Sequence, residues 1–145
     1  MVPLVGLQAV WGAAEWAVAV WEEIARLAAK VKCRDKATED YILTSSLYGL
    51  RLFRIIEAGW DVMATGLKGD MSGRKYDARR LKSAIERYDV AKADYLNLPD
   101  ERPDCATLFT DDYVRITVKD GVVEITSIPG LGESVDRYRK ALMLK

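Results

Sequence analysis

Histidine is absent from this 145-residue chain. Its absence excludes Ser-His-Asp and Cys-His catalysis, imidazole metal sites and a histidine pH switch. Cysteine is scarce. Cys33 and Cys105 are the only two, too few for a disulfide framework or for a zinc site without histidine. Two buried free thiols are expected, and spacing alone leaves a bridge between them open. Neither sign of charge is in excess, since 22 basic residues balance 22 acidic ones. No global field therefore draws the chain to nucleic acid or to an anionic membrane. No Lys or Arg precedes Arg26, so the apolar stretch from Met1 to Val20 lacks the basic region of a secretory signal. Glu15 interrupts the same stretch as a membrane span. A buried helix in a cytoplasmic protein is expected, with a membrane anchor as the lesser alternative.

What is present is globular composition, half apolar and 30% charged, in a length suited to one domain over 1–145. The first helix is expected from about Leu4 to Val31. Its polar residues Gln8, Glu15, Glu22, Glu23, Arg26 and Lys30 fall within an arc of roughly 100°. The remaining circumference is apolar, including Val10, Trp11, Trp16, Val20, Trp21, Ile24 and Leu27. A surface helix shows the opposite balance, so this one is expected to be covered on most sides.

A second helix follows, with Thr38 as its N-cap and Gly66 and Gly69 as stop signals near Leu67. Arg51, Arg54, Glu57 and Asp61 recur at three- and four-residue spacings and form a charged ridge. Gly49 and Gly59 each cost the helix about 1 kcal/mol against alanine, to be offset by a close helix approach or marked by a kink. Asp77 caps a third helix reaching Leu96, with Leu81, Ala84, Ile85, Tyr88, Ala91 and Tyr95 on one face.

Asp120-Gly121 lies between two alternating runs, which predicts a hairpin at about 113–126 with Val118 opposite Val123 and Ile116 opposite Ile125. A lone hairpin is marginal in water, so its aliphatic face is expected against the helices. A short helix from about Glu133 to Leu142 ends the chain. The expected fold is mainly α, or α+β by strict count. It is an antiparallel bundle of three long helices and one short helix, carrying a C-terminal β-hairpin.

Candidate chemistry is thin. Gly66 to Lys75 does not fit the spacing of a phosphate-binding loop, and no apolar strand precedes it. The basic cluster Lys68, Arg74, Lys75, Arg79, Arg80 and Lys82 lacks the interleaved aromatics of a nucleic-acid site. Asp104, Asp111 and Asp112 offer carboxylates, but nothing in the pattern holds a pair across a cleft. No catalytic residue, metal ligand or cofactor is therefore assigned. Trp11, Trp16 and Trp21 step by five residues, so they splay around the helix instead of forming one stacking platform. Core packing suits them, and they are also the candidate partner-binding residues. Trp60 beside Asp61 is the candidate ligand-binding pair, one ring that stacks and one acid that orients. An ordinary core aromatic is the competing reading of Trp60.

The segment from about Tyr48 to Arg139 resembles the C-terminal helical accessory region of large bacterial carbohydrate-active enzymes of the glycoside hydrolase type. The residues that carry the likeness are Asp104-Cys105-Ala106-Thr107-Leu108-Phe109, after a helix containing Tyr88-Asp89, and Pro129-Gly130-Leu131-Gly132-Glu133-Ser134-Val135-Asp136-Arg137-Tyr138-Arg139. In such enzymes the catalytic residues lie upstream, so the resemblance transfers none to this chain. It implies a non-catalytic docking module, part of or partner to a larger enzyme. The alternative is a free-standing protein that self-associates as a homodimer through the first helix. A small carboxylate enzyme using Asp61, Asp104, Asp111 and Asp112, with Tyr48 or Tyr76 nearby, is the third reading.

Overall fold

The computed structural model describes residues 4–98, 113–119, 122–128 and 131–143, and the side-chain surroundings of 12–98 and 131–143. Four helices carry the architecture: α1 (Leu4–Ala28), α2 (Lys36–Met71), α3 (Ala78–Leu96) and α4 (Leu131–Met143). α2 is the spine. α1 and α3 each pack along it, and α4 packs on both α2 and α3.

Local chemistry sets the boundaries. α1 closes with a tightened turn in which Lys30 N–H donates to the Leu27 carbonyl at 2.9 Å. The N-cap of α2 is Asp35, where Thr38 was expected. The Asp35 carboxylate accepts from the Ala37 N–H and from the Thr38 hydroxyl, both at 3.0 Å. Glu39 reaches back to accept from the Cys33 N–H at 2.7 Å. A carboxylate accepting two donors outcompetes a lone hydroxyl for the orphan amides of a helix start. α3 begins at the expected cap, with Asp77 accepting from the Arg80 N–H at 3.1 Å.

The glycines of α2 are notches and not stops. α2 runs through Gly66 and Gly69 to Met71, and turns out through Gly73 and Arg74, both with positive φ. The missing Cβ atoms make room for neighbours: Trp21 of α1 lies on Gly49, and Leu131 and Tyr138 of α4 lie on Gly59 and Gly66. Tyr76, from the α2–α3 connection, lies on Gly69. Close approach, the first of the two compensations expected for an interior glycine, is present at Gly49 and Gly59.

The core sits where α2, α3 and α4 meet. Ile55, Val62, Leu81, Tyr95 and Val135 are fully buried there. An ion pair and a hydrogen bond staple its rim: Arg139 of α4 grips Asp89 of α3 through two bonds of 2.9 and 2.8 Å, and Arg51 of α2 donates to the Asp94 backbone carbonyl of α3 at 2.7 Å.

The expected fold class needs correction. The structure is mainly α, and a C-terminal β-hairpin is not part of the packed fold. Every residue of the described core cluster belongs to a helix or is a side chain flanking one. The backbone of β1 (Tyr113–Lys119) and β2 (Val122–Ile128) does run antiparallel, with Val118 opposite Val123. Yet among the described residues no helix packs extensively against either strand. The alternating pattern and the Asp-Gly signal are local, and they carry no information about docking.

Candidate interaction surface

The surroundings of α1 decide where the expected partner-binding residues stand. Trp21 is half-buried, stacked on Phe53 of α2 with ring centroids 6.1 Å apart. Ala14 and Ala28, on the same flank, are buried. Arg54 of α2 reaches Glu22 at 3.3 Å, and Arg26 and Glu23 pair along the helix. Among the described elements, α2 alone covers that flank. The other apolar flank stays open: Trp16 is 71% exposed, Leu27 50%, Ile24 38% and Val20 36%. Among the described residues, the expected cover on most sides is thus supplied on one side only.

These four residues follow one another at spacings of four, four and three. At about 100° per residue they occupy an arc of roughly 80°, one continuous stripe. Trp16 and Trp21, separated by five residues, point to different flanks, so the splay of the tryptophans divides them between the surface and the α1–α2 contact. The side chain of Trp11 lies outside the described residues. Sequence reasoning named Trp16 and missed that Val20, Ile24 and Leu27 form a surface with it. Their helical spacing was the available signal, hidden because almost every position of this helix is apolar.

Trp60 and Asp61 have different surroundings. Trp60 is half-buried against the core cluster. Asp61, its side chain 7% exposed, receives Arg87 at 3.0 Å, Arg80 at 3.4 Å and the Thr65 hydroxyl at 3.5 Å. Arg87 also holds Glu57 through contacts of 3.0 and 3.1 Å. This network links α2 to α3 and occupies the carboxylate, because a buried acid requires opposite charge and hydrogen bonds.

A second polar cluster joins the end of α2 to α4. The Tyr76 hydroxyl donates to Asp70 Oδ1, and the Tyr138 hydroxyl donates to Asp70 Oδ2 at 2.8 Å. Arg137 donates to the Tyr138 oxygen at 2.6 Å and lies over that ring, 4.6 Å from its centroid. Burial, then the hydrogen bond to Asp70, pushes the Tyr138 phenol up to about 12. The hydrogen bond to Asp70 is also the main cause that raises Tyr76. Both phenols are protonated hydrogen-bond donors at neutral pH, and the raised values make them poorer acids whose phenolate forms are scarcer still.

Tyr48 packs on Tyr95, with centroids 5.7 Å apart. Cys33 is a half-buried free thiol, whereas Cys105, Asp104, Asp111 and Asp112 lie outside the described residues. Among the described residues no group of three or more acids or cysteines is placed to hold a metal ion, and no helix is long and apolar enough to cross a membrane. No family model, curated protein or solved structure matches the chain.

Proposed function

We propose that this chain is a non-catalytic helical docking module whose working surface is the open stripe of α1. The observation that supports this is the exposure of Trp16, Val20, Ile24 and Leu27 together on one flank. Scattered exposed apolar residues are ordinary, but a contiguous helical stripe of them marks an interaction surface. The partner class that fits the sequence resemblance is the catalytic chain of a larger carbohydrate-active enzyme. Trp16 would be its anchor, since a large aromatic in a partner's pocket dominates interface energetics.

The spacing of the stripe favours a second reading, association of two copies. Spacings of four, four and three are those of a helix-on-helix seam, and an isologous pair would cover both stripes at once. One set of measurements separates the two. Sedimentation at micromolar concentration should show either a dimer, or a monomer that co-purifies with a catalytic chain encoded beside it. Leu27→Glu should abolish whichever association is seen. A wild-type monomer that leaves the neighbouring catalytic chain unbound would remove the proposal.

A further inference from the structure

α1 and α3 both lie against α2, and between them runs an open groove of about 720 Å³. Its floor is made of small residues, Ala58 of α2 and Ala91 of α3, both buried. Val18 of α1 and Val90 of α3 stand on either side of that floor, and Val90 is largely exposed. The lining along α3 runs from Ser83 to Asp94, which at 1.5 Å per residue is roughly 16 Å, or three turns of helix. A shallow apolar floor between two helices, with a valine on each wall, is the shape that accepts another helix.

Charge selects the occupant. Both arginines of the lining are already engaged, Arg54 with Glu22 at 3.3 Å and Arg87 with Glu57 and Asp61 at 3.0 Å. Glu15 on α1 and Glu86 and Asp94 on α3 remain outside those pairs. Glu86 has a lysine near it only at 4.0 Å, Lys82 on its own helix. The groove therefore presents an apolar seam between rims with an excess of carboxylates. An acidic helix would meet like charge there, and a wholly apolar one would leave the rims unmatched.

We infer that this groove receives a basic amphipathic helix of a protein partner, about three turns long. Its apolar side lies over Ala58 and Ala91 between the valines, and its Lys and Arg side chains reach Glu15, Glu86 and Asp94. The site is separate from the stripe proposed above. Glu15, Val18 and Glu22 lie on α1 roughly 140–160° around from the centre of the Trp16–Leu27 flank.

The test uses the full chain and two fluorescent 14-residue synthetic helices that share an apolar face and carry either Lys or Glu on the other. Anisotropy should show saturable micromolar binding of the lysine helix only, weakening at least tenfold between 50 and 300 mM salt, concentrations chosen around a Debye length of about 10 Å. The combined Glu15→Lys, Glu86→Lys and Asp94→Lys variant, with unchanged circular dichroism, should lose at least tenfold in affinity. Reversing Asp40, Glu133 and Asp136 on other faces should change binding less than threefold, and so should Trp16→Glu. No saturable binding of the lysine helix, equal binding of the glutamate helix, or equal loss on reversing charges elsewhere would overturn the inference. If the triple variant does not fold, Glu86→Lys alone should still weaken binding, and an unchanged affinity there would overturn it too.

Discussion

At the scale of single residues, what governs this chain is where a side chain is missing. A Cβ on Gly66 would come within 2.3 Å of the Tyr138 ring. That ring cannot swing aside, because it is buried and its hydroxyl is held by Asp70 and Arg137. Gly66→Ala gains about 1 kcal/mol of helix propensity but forces α4 outward, and overpacking of this kind costs about 1–3 kcal/mol. A net loss of stability is expected. At Gly12 nothing lies within 4 Å of the added methyl, so Gly12→Ala should stabilise by up to about 1 kcal/mol. Urea denaturation of both variants checks the pair, and equal signs would refute the notch argument. These residues also mark what sequence can tell. Gly66 and Gly69 read as stop signals because a glycine's local preference is visible in sequence, whereas the phenol rings that need the space come from beyond the helix. Asp61 is hidden for the same reason: its partners Arg80 and Arg87 lie 19 and 26 residues away on another helix.

At the scale of elements, α4 attaches by two unlike means. Leu131 sits over Gly59 and is buried, as are Val135 and Tyr138 further along the same face. Arg139 and Asp89 meet at the half-exposed rim. Leu131→Ala should cost about 2–4 kcal/mol, as core truncations do, and Arg139→Ala under about 1 kcal/mol, as surface ion pairs do. Thermal unfolding of the two variants orders them, and a larger loss from Arg139→Ala would reverse this account. The helices themselves were legible. Periodicity placed all four, and the Asp77 cap was read correctly, because period and capping are properties of neighbouring residues. The cap of α2 was misplaced from Asp35 to Thr38, three residues apart with both side chains able to cap. The docked β-hairpin was an inference about distant packing, and there local pattern has no authority. The open stripe of α1 was unreadable for a similar reason: composition shows that a helix is apolar, but not which flank the remaining helices leave uncovered.

At the scale of the whole molecule, the Asp70 cluster makes stability depend on alkaline pH. Tyr138 titrates near 12 in the folded chain, against a usual value of 10. A group whose folded value is raised contributes stability that is complete below the unfolded value and lost as pH climbs through the folded one. The window is therefore about pH 10 to 12, and the loss is on the order of 2 kcal/mol. Tyr76 shifts in the same direction and adds to it. Denaturation midpoints at pH 8, 10 and 11 should fall for the wild type and fall less steeply for Tyr138→Phe, from a lower starting point. Parallel curves would assign the alkaline loss to other groups.

The division of contacts along α2 has one more consequence. α3 and α4 hold α2 and also each other, while α1 has extensive packing with α2 alone among the described elements. Lifting α1 away breaks a single seam, and lifting either of the others breaks two. The opening helix is thus joined to the bundle through one seam, centred where Trp21 lies over Gly49 and stacks on Phe53.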